Sequence, residues 1–374
     1  MTLRQTGWSL MLSTILVTFT NDKANAGLEK AHYGTTPEGQ AVDSYVLTNA
    51  SGMKIKVITY GGIITEMWVP DRSGKLADVA LGHDSLQGYL NGHPYFGCIV
   101  GRVANRIGNA TFNLDGTTYK TKANNGKHTL HGGEKGFDKK VWKVTRTKDG
   151  DSPELELSYT SPDLEESFPG KLDVTVTYVL KKNNALEFHY KAVTDKATPV
   201  NLTQHAYFNL AGHDHGDILG HELMVNADFY TQSNEDMIPT GKLEPVKGTP
   251  FDFTTLTPIG KRIAALKGEP GGYDLNYVLR DGTEKMHLAA RVVEPSSGRM
   301  LEVSTSEPGV QFYSGNFLNG KDKGKGGVLY KKHAGFCLET QHFPDSVNQP
   351  KFPSIILQPG KTYEHSAIYA FSAK

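Results

Sequence analysis

Leu172-Asp173-Val174-Thr175-Val176-Thr177-Tyr178-Val179-Leu180 alternates apolar and polar residues with a period of two. Leu172, Val174, Val176, Tyr178 and Leu180 fall on one side, and Asp173, Thr175 and Thr177 on the other. Successive side chains of an extended chain point to opposite faces, so the pattern predicts a strand with one face buried and one wet. The turn residues Lys181-Lys182-Asn183-Asn184 follow. Alternation then resumes as Leu186, Phe188, Tyr190 and Ala192 against Glu187, His189 and Lys191. The whole segment reads as a β-hairpin.

The same grammar extends outward. A second hairpin is predicted from 287–293 and 300–305 around Pro295-Ser296-Ser297-Gly298. Further strands are expected at 54–60, 155–159, 309–313 and 354–357. Helical periodicity is nearly absent, with short candidates only at 85–91 and 257–266. There is no internal repeat, low-complexity tract or linker-like shift in composition. Long antiparallel strands with few helices point to packed sheets or a barrel, in one large all-β domain over residues 27–374.

Residues 1–26 read differently. Arg4 precedes a mainly apolar run at 8–19, and Ala24-Asn25-Ala26 fits a small-x-small cleavage site. About a dozen apolar residues fall short of the roughly 20 that span a bilayer as a helix. The expectation is a signal peptide cleaved after Ala26 and a periplasmic or secreted mature chain. Lys plus Arg and Asp plus Glu each number 40. That balance argues against nucleic acid or an anionic membrane surface as partner. Cys98 and Cys337 are too few for a disulfide framework, and each sits in an apolar or glycine-containing stretch that predicts a free buried thiol.

Three stretches place ionisable residues inside strand-like or tightly turned sequence. One is Gly101-Arg102-Val103-Ala104-Asn105-Arg106-Ile107, followed by Leu130-His131-Gly132-Gly133. The second is Asn201-Leu202-Thr203-Gln204-His205-Ala206-Tyr207-Phe208-Asn209-Leu210, and the third Gly335-Phe336-Cys337-Leu338-Glu339-Thr340-Gln341. A carboxylate at the end of an apolar strand gains basicity when burial disfavours its charge. An imidazole titrates near pH 6.5 and can give or take a proton at working pH. On these grounds alone a hydrolase, an isomerase and a sugar-binding module all stay open. The cluster Gly212-His213-Asp214-His215-Gly216-Asp217, with His221 beyond, matches no metal-ligand spacing and reads as a solvated loop.

Taken together, these segments closely resemble the aldose 1-epimerase (galactose mutarotase) family. The likeness runs over 33–372 and adds Gly272-Tyr273-Asp274, Pro308-Gly309-Val310-Gln311-Phe312-Tyr313-Ser314-Gly315-Asn316 and Leu338-Glu339-Thr340-Gln341-His342-Phe343-Pro344-Asp345. The resemblance implies an antiparallel β-supersandwich with an open sugar cleft. It implies acid–base interconversion of sugar anomers with no metal and no other cofactor. By matching positions, Glu339 is the expected general base and His205 the general acid. His131 is expected near the ring oxygen, and Arg106, Asp274 and Gln311 at sugar hydroxyls, with Asn105 a further contact. The chain departs from the family at Gln204 and Ala206, where Asn and a hydroxyl residue usually flank the histidine.

The chemistry suits these residue types. One group must take the anomeric hydroxyl proton while another protonates the ring oxygen as the C1–O5 bond breaks. A carboxylate and an imidazolium can do both and exchange roles for closure. A nearby acidic residue such as Asp274 or Glu339 would favour the charged imidazole. The expected partner is a free monosaccharide, with the chain a monomer or weak homodimer. Phosphorylated sugars would need several basic groups around the cleft. A glycosidase would need two carboxylates across the bond, Glu339 with Asp274 being the pair to suspect. A sugar-binding module would need no titrating pair.

Overall fold

The computed structural model describes residues 26–268, 270–282, 285–321 and 323–374. Its largest sheet has nine antiparallel strands. In spatial order they are Lys143–Lys148, Glu154–Ser161, Leu172–Leu180, Ala185–Thr194, Thr362–Ala373, Arg299–Thr305, His287–Val293, Glu222–Val225 and Thr257–Pro258. The predicted hairpin forms its third and fourth strands: Leu172 stands opposite Thr194 and Leu180 opposite Leu186. Leu172, Val174, Val176, Tyr178 and Leu180 are all fully buried, each worth about 1.5–3 kcal/mol relative to exposure.

A five-stranded sheet precedes it in the chain, with Gly27–Thr35, Ala41–Thr48, Lys54–Ile58, Ile64–Pro70 and Leu76–Asp78 in sequence order. A second five-stranded sheet carries Pro239–Pro245, Ala227–Ser233, Asp274–Leu279, Gly309–Tyr313 and Cys337–Gln341. One apolar core joins all three. Leu47, Ile55 and Met67 come from the first sheet, Leu157, Val176 and Tyr369 from the large one, and Tyr277, Phe312 and Leu338 from the third. The architecture is an antiparallel β-supersandwich.

The predicted helix at 85–91 forms as Leu86–Leu90. The one expected at 257–266 does not. Thr257–Pro258 joins the edge of the large sheet, and two 3₁₀ turns, Ile259–Lys261 and Ile263–Ala265, follow. Pro258 fixes an extended φ of −53° with ψ of 130°, and Gly260 adds backbone freedom, so no α-helix is nucleated. Cys98 and Cys337 are buried and free. His213 and His215 do not converge: His213 Nδ1 meets the Tyr330 hydroxyl at 3.1 Å, while His215 pairs with Asp214 at 2.5 Å. His221 is buried and accepts the Leu210 amide. No helix among the described residues is long and apolar enough to cross a membrane.

Candidate active site

Short pairings bring the distant motifs to one place. Arg106–Ile107 pairs with Thr129–Leu130, with Leu130 opposite Arg106, which sets Asn105 beside His131. Gly132 permits the tight turn behind them: its φ is +86°, and a Cβ there would lie 1.9 Å from the Gly101 carbonyl oxygen. Thr203–Gln204 pairs with Ile99–Val100 and delivers His205 just past its end. In the third sheet Asp274 stands opposite Tyr313, and Gln311 opposite Glu339.

Asn105, Arg106, His131, His205, Asp274 and Glu339 all line one open cavity of about 220 Å³. His205 Nε2 and Glu339 Oε1 are 3.6 Å apart, both nearly fully buried. His131 stands edge-on to His205, ring centroids 5.0 Å apart, and Tyr95 packs against both. The Arg106 Nε donates to Asn125 Oδ1 at 3.1 Å, and no carboxylate pairs with this guanidinium within 4 Å among the described residues. Gln311 does not line the cavity. Its amide donates to Asp274 Oδ1 at 2.6 Å and holds that carboxyl from behind.

Burial decides the charge states. It pushes Glu339 well above the usual carboxylate range, Asp274 adds to the push, and Arg106 opposes it. Burial likewise raises Asp274 against the pull of Arg106 and Gln311. It drives His205 down to about 4, with a hydrogen bond to its own backbone pulling the other way. The expectation of a resting imidazolium is therefore reversed. Burial favours the uncharged form of each group, a neutral imidazole beside a protonated carboxyl.

At the departures from the family pattern, Ala206 is buried in the core, and both amide atoms of Gln204 are buried without a protein partner among the described residues. His205 is oriented otherwise. Its ring lies over Tyr207 at 5.2 Å and 25°, and its Nδ1 meets Cys337 Sγ at 3.6 Å. Tyr95, Asn125, Tyr313 and Phe317 also line the cavity and were not singled out from the sequence. Tyr313 lies inside a quoted motif. Phe317 stands just after one, 53% exposed at the rim, its amide held by the Tyr313 hydroxyl. Tyr95 and Asn125 carried no signal.

His131, His205 and Glu339 offer ligand atoms within 4.8 Å of one another, a spacing that could hold a metal. The donor chemistry fits poorly. The Asn105 amide donates to His131 Nδ1 at 3.2 Å, so the neutral ring carries its proton on Nε2 and has no free lone pair to give. Two ligands remain where a catalytic zinc site uses three.

Comparison with known proteins agrees with this geometry. The family model described as aldose 1-epimerase matches residues 43–370. The human protein named galactose mutarotase is 45% identical, over 93% of this chain and 99% of its own. The Escherichia coli aldose 1-epimerase is 34% identical over 90% and 97%. Among solved structures, an aldose epimerase homologue from C. elegans aligns with a TM-score of 0.81 and 30% identity, covering 88% of this chain and 98% of that one. The chain belongs to the aldose 1-epimerase family. It is an isomerase acting on carbohydrates, a mutarotase.

A further expectation is overturned. Residues 1–26 suggested a cleaved signal peptide and a periplasmic or secreted protein. The relatives at 44–46% identity are mammalian proteins named galactose mutarotase, and likeness to them speaks against an exported chain. An apolar run with an A-x-A site carries little weight against likeness to such relatives over nine-tenths of the chain. Residues 1–25, on which the signal-peptide reading rested, lie outside the described residues.

Proposed function

We propose that the chain interconverts the α and β anomers of free aldohexoses, galactose and glucose among them, by acid–base opening and reclosure of the ring. The observation that carries this reading is the meeting of His205 and Glu339 at 3.6 Å in one small cavity. Moving one proton from Glu339 to His205 gives carboxylate and imidazolium without changing the proton count. Glu339 then takes the anomeric hydroxyl proton while His205 gives one to the ring oxygen, and the C1–O5 bond breaks. Rotation about C1–C2 presents the other carbonyl face, and closure runs with the roles exchanged. Each positioned group contributes about 10²–10⁴-fold.

Arg106 and Asp274 hold ring hydroxyls, Gln311 steadies Asp274, Asn105 is a further contact, and His131 meets the ring oxygen. The cavity is smaller than the roughly 300–1,000 Å³ of typical ligand pockets, which suits a single ring. Arg106 is the one Lys or Arg among its lining residues, which disfavours a phosphorylated sugar. Asp274 and Glu339 rise from one sheet, and Asp274 is engaged by Gln311, an arrangement unlike a glycosidase pair across a bond.

Progress-curve polarimetry on α-galactose and α-glucose tests the proposal. Catalysed decay of rotation is expected with both. Binding without acceleration would make the chain a sugar-binding module, and release of sugar from a glycoside would make it a hydrolase.

A further inference from the structure

The contact between Asn105 and His131 specifies more than proximity. Just past the Arg106–Ile107 and Thr129–Leu130 pairing the two residues exchange a pair of hydrogen bonds. The His131 amide donates to the Asn105 carbonyl at 2.9 Å, and the Asn105 amide donates to His131 Nδ1 at 3.2 Å. Both residues are in the left-handed region, with φ of +58° and +50°. Asparagine is among the few non-glycine residues that adopt it readily, because its short polar side chain bonds locally. Here Asn105 Oδ1 accepts the Arg106 amide at 2.9 Å.

A backbone amide can only donate. The Nδ1 it faces must therefore be the acceptor, and a neutral ring then carries its hydrogen on Nε2. The ring lines the cavity and stands against His205 and Tyr95, so this N–H belongs to the sugar site. Full protonation is opposed as well: burial, then the positive charges of Arg106 and Lys139, press His131 well below its ordinary value.

We propose that Asn105 is a positioning residue, whose left-handed backbone fixes His131 as the Nε2–H tautomer and makes it a standing hydrogen-bond donor in the cavity. His131 then steadies the ring oxygen without supplying the proton, and the acid is left to the His205–Glu339 pair. The identity of the acceptor, a sugar ring oxygen, rests on the mutarotase reading; the tautomer does not.

Long-range ¹H–¹⁵N correlation of the full ¹⁵N-labelled chain tests it, with His131→Gln assigning the ring signals. The expected pattern is an unprotonated Nδ1 and a protonated Nε2, unchanged from pH 8 to pH 5. A dominant Nδ1–H form, or titration of the ring near pH 6.5, would overturn the proposal. Asn105→Gly, which keeps the amide and tolerates the left-handed turn, should retain the pattern. Asn105→Val should weaken it, with an Nδ1–H form of the ring appearing and kcat falling about tenfold. The wild-type spectrum decides the question even if the valine variant does not fold. An inactive protein with the expected tautomer would sink the mutarotase reading and leave this inference standing.

Discussion

Two carboxylate–imidazole clusters flank the strand Cys337–Gln341, and they are built on opposite principles. Glu339 lines the cavity, while its neighbour Thr340 turns to the other face and meets His365 Nε2 at 3.4 Å. There Glu307 is buried but well supplied. His342 Nδ1 bonds one carboxylate oxygen, and His365 Nδ1 and the Tyr363 hydroxyl each approach the other at 3.4 Å. Burial would raise Glu307, but His365, His342 and the hydrogen bonds outweigh it and hold the group below its ordinary value. Glu339 receives no such support. Its Oε2 is buried with no protein partner among the described residues, and its nearest imidazole there is beyond hydrogen-bond distance. The satisfied carboxylate is ionised and structural. The unsatisfied one is left poised to exchange a proton with a ligand, at a cost in stability.

The largest expected effects come from breaking the unsatisfied pair. Glu339→Gln and His205→Asn should each slow mutarotation by about 10²–10⁴-fold in polarimetry. Stability should behave in the opposite sense for Glu339→Gln. A folded carboxyl with a raised pKa keeps a proton that the unfolded chain releases, so stability falls as pH rises above about 4.5, its ordinary value. Glutamine removes that penalty, and its melting temperature at pH 7 should equal or exceed wild type. A near-wild-type rate in either folded variant would strike that residue from its role.

Glu307→Gln should reverse this profile. Removing one partner of a buried ionic cluster typically costs about 3–5 kcal/mol, read here as a lower urea midpoint at pH 7. Activity per folded molecule should stay within a few-fold of wild type, because Glu307 does not line the cavity. A stable but inactive Glu307→Gln protein would end the distinction between the two clusters.

The pH profile sharpens it further. The His205–Glu339 pair works only with a single proton between them. A second proton arrives as pH falls through about 4, the depressed value of His205, and leaves no base. The last proton departs as pH rises through the raised value of Glu339, and leaves no acid. A plot of kcat/KM against pH should thus be a broad bell whose limbs belong to the pair and not to either residue. An acid limb near 6.5 would mean that burial does not govern His205.

Much of this was legible in the sequence, unevenly. Hairpins with strict alternation, such as Leu172–Leu180 against Ala185–Thr194, were read almost to the residue because one face is wet. Thr362–Ala373, the longest strand and the centre of the large sheet, was not read at all. His365, Ala367, Tyr369 and Phe371 do alternate inward. Ile368 and Ala370 on the opposite side blur the pattern, and His365 stands at a core position only because Glu307 and Thr340 accommodate it. The motifs located the site, but no spacing foretold that the pairing of Gly309–Tyr313 with Asp274–Leu279 brings Gln311 to Asp274, or that burial favours the neutral imidazole.

The smallest effect probes the structural cluster alone. His342 is buried enough to favour its neutral form, yet the charge and hydrogen bond of Glu307 win and its pKa is raised. A raised imidazole contributes stability that is fully present below its unfolded value near 6.5 and is lost as pH rises through the folded value. His342 should therefore add to the decline of wild-type stability across that alkaline stretch, and His342→Asn should remove its share while lowering stability at pH 6. Urea midpoints of the two proteins from pH 6 to pH 9 measure the difference, which should shrink steadily with rising pH. A constant gap would mean that His342 acts through packing, and that Glu307 draws its support from His365 and Tyr363 alone.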